Sequence, residues 1–311
     1  MRPSALFLPL LAATLAAPLA AQSGGPFTVA ETGQSFRLLQ QAVDAIGEGS
    51  GTIRIAPGTY RDCAVQGAGS IAYVAVEPGN AIFDRRTCED KAALVLRGTR
   101  ARVDGLVFTH LLVPDGNGAG IRIEKGDLIV SNSRFIDNQS GILSAADPNS
   151  TITVDRSTFA GLGKDPTGNG AHGIYVGEYG ALKVMRSRFE RGTGGHYLKS
   201  RAPHVTIVDN SFDDTAGQST NYMIDLSNGA VGQISGNSFA VGGNKENHST
   251  LITVAPEGAQ NPSNGLVIEN NRAWLAPAFQ WKTAFVGNWT ADKVVVRNNQ
   301  LGERITPYED H

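Results

Sequence analysis

Lys199 and Arg201 stand two residues apart, and His196 precedes Lys199 by three. In an extended segment, residues two apart point the same way, about 6.6 Å from each other. Two cations side by side can hold a carboxylate, and Arg201 can grip both of its oxygens. Neighbouring cations also depress a lysine pKa, so Arg201 would leave Lys199 a neutral amine able to accept a proton. Partners recur at one spacing on either side. Tyr175 lies 24 residues before Lys199 and Asp225 lies 26 after it; His172 lies 24 before His196 and Tyr222 lies 26 after it. A base, a carboxylate clamp and hydroxyl or imidazole donors are what removal of a proton beside a carboxylate requires, with loss of oxygen from the next carbon. In that scheme Lys199 is the base and Arg201 the clamp. Tyr175, Tyr222, His172 or His196 is the proton donor, and Asp225 orients Lys199 or binds substrate hydroxyls.

These residues meet only if segments about two dozen residues apart are stacked, and the chain repeats at that period. The phrase Val130-Ser131-Asn132-Ser133-Arg134-Phe135 recurs as Val154–Phe159, Val184–Phe189, Val208–Phe212 and Ile234–Phe239, and more loosely to Leu301. Phe108, Phe135, Phe159, Phe189, Phe212 and Phe239 are 27, 24, 30, 23 and 27 residues apart. A β-rich phrase at this period, bounded by Gly and Asn, marks a solenoid of strands. Ser133, Ser157, Ser187, Asn210, Asn237, Asn271 and Asn299 would stack as a polar ladder bonded to the next coil's backbone. Asn there suits left-handed geometry, and the Phe column forms a core beside it. An upstream strand in each coil gives one outward column, Arg122, Leu143, Tyr175, Lys199, Asp225 and Thr253. Two residues on, a second column reads Glu124, Ala145, Gly177, Arg201, Ser227 and Ala255. Chemistry-bearing side chains concentrate in three consecutive coils. His172 and His196 begin their strands with inward parity if those strands are regular.

Composition agrees. The 311 residues carry 27 Lys+Arg against 29 Asp+Glu, a formal charge of −2, which argues against a nucleic-acid binder. Hydrophobic residues at 41% and charged ones at 18% are globular proportions. The 37 glycines suit many tight turns, and no heptad pattern suggests a coiled coil or helical bundle. Met1–Ala21, with an apolar stretch from Ala5 and a small-residue end at Ala20-Ala21, reads as a signal peptide. The mature chain, residues 22–311, is then a soluble, exported domain, periplasmic or secreted. Phe36, Leu39, Val43 and Ile46 predict an amphipathic helix over about 35–46, stopped by Gly47, as a cap for the solenoid's first coil. Trp274, Phe279, Trp281 and Trp289 are expected to cover the other end.

The capping helix, the phrase Ile53-Arg54-Ile55-Ala56-Pro57-Gly58-Thr59-Tyr60 and the coils ending in Asn-Ser-Phe resemble the pectate-lyase-like superfamily over about residues 29–302. The resemblance implies an all-β, single-stranded right-handed parallel β-helix with an N-terminal capping helix. Cys63 and Cys88, one coil apart, would then sit on neighbouring rungs, compatible with a disulfide if both face one way. The superfamily holds lyases, hydrolases, epimerases, esterases and phage tail fibres. Its lyases use Lys or Arg as base, and many hold calcium with several acidic residues. No such acidic cluster is evident here, so the reading is metal-independent β-elimination on an acidic, uronic-acid-containing polysaccharide. Tyr222, Arg122, Asp115 and Ser227 are further substrate-binding candidates. The alternatives are a glycoside hydrolase pairing Asp225 with Asp213, Asp214 or Glu178, and a non-catalytic glycan-binding protein.

Overall fold

A computed structural model describes residues 24–168 and 170–311. The leader read over residues 1–21 lies outside them. The repeat winds into an all-β parallel solenoid with three sheets, one of twelve strands and two of ten. One coil supplies one strand to each sheet. Thus Tyr179–Met185, Arg188–Glu190 and Leu198–Ser200 belong to the first, second and third sheets and are followed by His204–Val208, Ser211–Asp213 and Ile224–Leu226. Equivalent strands of successive coils pair in parallel and in register.

The recurring Phe residues explain why the coils stack in this register. Phe83, Phe108, Phe135, Phe159, Phe189, Phe212 and Phe239 are fully buried, and from Phe135 to Phe212 successive rings lie 4.7–4.9 Å apart and within 9° of parallel. Beside them runs the polar ladder. The backbone N–H of each ladder residue donates to the side chain one coil on: Ser157 to Ser187 Oγ (3.2 Å), Ser187 to Asn210 Oδ1 (2.9 Å), Asn210 to Asn237 Oδ1 (2.9 Å) and Asn237 to Asn271 Oδ1 (2.9 Å). The left-handed residue is not the ladder residue but the one before it, including Asn132 (φ 50°), Arg156 (φ 45°), Arg186 (φ 48°) and Asp209 (φ 57°). That backbone twist turns the next side chain inward under the ladder, where Ser or Asn can reach the neighbouring coil.

The cap is shorter than its apolar spacing suggested. The helix spans Leu39–Ile46, while Ser35–Phe36 pairs antiparallel with Phe27–Val29. Asp62 ends the helix on its N-terminal side by accepting from the Leu39 N–H at 2.7 Å. Leu39, Ala42 and Val43 pack on the first coil. Cys63 and Cys88 form a disulfide with Cα atoms 5.6 Å apart. At the other end Phe279 is buried, but Trp274 and Trp281 each remain 46% exposed. Trp281 lies against His248, and Trp289 stacks on His311. The aromatic residues therefore cover that end only in part.

Candidate active site

The third sheet carries the candidate chemistry. At the corner where its strands begin, two consecutive residues face the core: Tyr197 with Leu198, Met223 with Ile224, and Leu251 with Ile252. Two inward neighbours break the alternation of a strand, so the residue before them turns outward. This overturns the inward parity of His172 and His196. The His172 ring lies 5.6 Å from Tyr175, the His196 ring 5.4 Å from Tyr222, and the two imidazoles 4.9 Å from each other.

Strand pairing aligns Tyr175 with Lys199, Lys199 with Asp225, and Asp225 with Thr253. Their side chains share the outer face of the sheet. Lys199 Nζ lies 3.1 Å from Asp225 Oδ2 and also donates to Glu257 Oε1. Arg201 donates to the other Glu257 oxygen, Oε2, as well as to Tyr175 Oη at 2.9 Å and Asn228 Oδ1 at 2.6 Å. One carboxylate is thus gripped by both cations at once. Asp225 is almost wholly buried and accepts from Ser227 Oγ (2.8 Å) and Thr253 Oγ1 (3.0 Å). Its hydrogen-bonding capacity is taken up inside the protein.

Protonation follows from these neighbours. Burial works to lower the Lys199 pKa, but the Asp225 and Glu257 carboxylates outweigh it and hold the amine above the ordinary lysine value. The neutral Lys199 expected from its proximity to Arg201 is therefore not the resting form. Burial also works to raise Glu257, and its bonds to Lys199 and Arg201 outweigh that, holding it below the usual carboxylate range. Both histidines move the other way. Burial pushes His172 and His196 down to about 3, assisted by the Lys199 charge, so both are neutral. The His196 backbone N–H donates to His172 Nδ1 at 3.1 Å, so that nitrogen is an acceptor. A ring proton on His196 Nδ1, 3.3 Å away, would complete a hydrogen bond to it. In that tautomer His196 Nε2 keeps its lone pair, 3.7 Å from Asp225 Oδ2. Protonation of Nε2 would turn a lone pair facing a carboxylate into an ion pair.

The structure brings together His172, Tyr175, His196, Lys199, Arg201, Tyr222 and Asp225. It sets three other candidates apart. Arg122 shares the outer column but aligns with Leu143, one rung before Tyr175, and pairs with Glu124 at 3.5 Å. Asp115 holds its own turn, accepting from the Asn117 N–H at 3.0 Å. Ser227 is fully buried and bonded to Asp225, which keeps it from a substrate. Among the carboxylates considered as partners of Asp225, Asp214 is buried against Lys245, Thr220 and Tyr197, and Asp213 holds Thr215. The carboxylate beside the site is Glu257, in the loop after Thr250–Val254, where the strand period gives no signal. Thr253 did stand in the outer column. Among the described residues, no group of three or more His, Cys, Asp or Glu side chains is arranged to hold a metal ion.

The model of the right handed beta helix region family matches residues 92–301, and the chain belongs to that family. No curated protein matches the sequence. Among solved structures, the chain is similar to a PL6 family alginate lyase, AlyGC, at 14% identity and a TM-score of 0.48, over 83% of this chain and 40% of that one. The chain thus spans less than half the length of that enzyme, and the likeness is one of fold.

Proposed function

We propose that this protein is a polysaccharide lyase that cleaves a uronic-acid-containing polysaccharide by β-elimination. The observation that carries the reading is the seat made by Lys199 and Arg201, which between them hold both oxygens of one carboxylate beside a neutral imidazole. A uronate carboxylate in that seat gains charge as its α-carbon loses a proton, and two fixed cations stabilise the enolate-like state. His196 Nε2 takes the C5 proton, and the imidazolium formed is stabilised by Asp225. The C4–O bond breaks as the C4=C5 double bond forms. Tyr175 accepts a hydrogen bond from Arg201, so its own O–H is free to protonate the leaving oxygen. Proton return from His196 to Tyr175, directly or through solvent, resets the site.

Lys199 keeps its place in this scheme as half of the clamp rather than as the base. Hydrolysis is less well supported, because it needs a protonated carboxyl as general acid and Glu257 is held ionised by its two cations. The disulfide supports a site of action outside the reducing cytosol. Incubation with a panel of uronic acid polymers tests the class. New ultraviolet absorbance from unsaturated ends is the expected result. Reducing ends without that absorbance, or binding without products, would replace the lyase with a hydrolase or a binding protein.

A further inference from the structure

Glu257 occupies the carboxylate seat that the proposed reaction needs for its substrate. The site contains two cations, Lys199 and Arg201, and two carboxylates, Asp225 and Glu257, so the cluster is neutral as it stands. The two carboxylates are not equivalent. The Asp225 side chain is 2% exposed and held by Ser227 and Thr253, whereas that of Glu257 is 41% exposed. Hydrogen bonds at the carboxylate tie Glu257 to Lys199 and Arg201.

The surroundings stay in place without that side chain. The loop backbone is anchored by Glu257 N–H to Ser227 O at 3.1 Å and by Asn261 N–H to Asn228 O at 2.8 Å. Asn261 Nδ2 also donates to Arg201 O at 3.1 Å. Arg201 would keep Tyr175 and Asn228, and Lys199 would keep Asp225. Rotation of one side chain toward solvent is therefore enough to open the seat.

We infer that Glu257 is an internal stand-in for the substrate carboxylate and competes with a free uronate for the seat made by Lys199 and Arg201. This rests on the uronate reading above. When Glu257 leaves, the cluster carries one uncompensated positive charge in a partly desolvated place. An incoming carboxylate restores neutrality, so exchange of anion for anion is balanced. A methyl ester or a neutral sugar leaves the charge uncompensated and does not compete with Glu257. The closed form lowers apparent affinity by the fraction of molecules with the seat open.

The test is binding of sodium galacturonate and of its methyl ester to the full chain by calorimetry, for wild type, Glu257→Gln and Glu257→Asp. Glu257→Gln is expected to bind the uronate about tenfold more tightly than wild type, the change produced by removing a competitor that closes about nine molecules in ten. The methyl ester, which does not compete with Glu257, should bind as in wild type, so the preference for uronate over ester should widen by a similar factor. Glu257→Asp keeps the charge but is one methylene short, and should fall between. Unchanged uronate affinity in Glu257→Gln, with its melting curve intact, overturns the inference. If Glu257→Gln does not fold, a wild-type affinity in Glu257→Asp overturns it equally. Lyase activity of the wild type is measured alongside. Tighter binding by Glu257→Gln without unsaturated products from wild type would leave the seat standing and remove the lyase. Products from wild type with no change in binding would do the reverse.

Discussion

His196 and Lys199 are three residues apart and are opposite in proton affinity, because burial and the Lys199 charge dominate at the imidazole, whereas the amine touches two carboxylates. That contrast gives a kinetic prediction. A neutral imidazole is present as base wherever the pH exceeds its depressed value of about 3. The kcat/KM on a uronic acid polymer should therefore be level over about pH 5 to 8. If the Lys199 amine were the base, kcat/KM would instead climb in proportion to hydroxide across that whole range, and such a slope would move the base assignment back to Lys199. The same histidines link pH to stability. Unfolded, they bind protons near the ordinary value of 6.5; folded, only near 3. Between those values the unfolded chain holds more protons, so their contribution is complete above 6.5 and is lost as the pH falls toward 3. Chemical denaturation at pH 7 and at pH 5 should show lower stability at the acid value. Equal stability would mean the imidazoles are hydrated in the folded protein. The residues of this cluster were legible in the sequence wherever the strand period placed them, but the charge state of Lys199 was not. It depends on Glu257, which arrives from a loop.

From Phe135 to Phe239 each coil adds one ring and one ladder side chain, and the ladder makes the sharper prediction. Asn237 accepts from the Asn210 N–H at 2.9 Å, donates to Ile207 O at 2.8 Å and donates to Asn271 Oδ1 at 3.0 Å. Asn237→Ala strands a buried N–H and a buried carbonyl together, and leaving a buried group unsatisfied costs about 1–3 kcal/mol. Stability measured in urea should fall by at least about 2 kcal/mol, whereas Asn270→Gly, at the left-handed position before the ladder residue Asn271 one coil on (φ 56°), should be nearly neutral. A neutral Asn237→Ala would show that water enters and replaces the ladder. The spacing of the Phe residues and the Ser/Asn positions revealed this element from sequence, because both columns must recur once per coil. The left-handed position was misplaced by one residue, since Asn132, Arg156, Arg186 and Asp209 share no side-chain chemistry. Only the backbone repeats there. The parity of His172 and His196 failed for a related reason: periodicity describes strands, and those residues sit where a corner interrupts one.

A solenoid is held by nearest neighbours, so a defect at one end need not reach the middle. The disulfide offers the test. Cys63 adjoins the first strand of the third sheet, Ala64–Gln66, and the strand order runs through Ala92–Leu96, Ala119–Ile123, Ser140–Ser144 and Ile174–Val176 before Leu198–Ser200. Five rung spacings make about 24 Å between the Cys63 coil and Lys199. The bridge closes a separation of 25 residues, a loop whose closure contributes roughly 3 kcal/mol. It also fastens the coil on which the helix Leu39–Ile46 packs. Reduction, or Cys63→Ser with Cys88→Ser, should accelerate amide exchange in the helix and in residues 50–66. Exchange in residues 174–226, and activity at 25 °C, should stay as in the oxidised protein. The ion cluster around Asp225 draws its partners from residues 196–257 and from no coil near the bridge. Loss of protection across both regions together would mean that the solenoid unfolds as a single cooperative body, with the N-terminal cap holding the remote site in register.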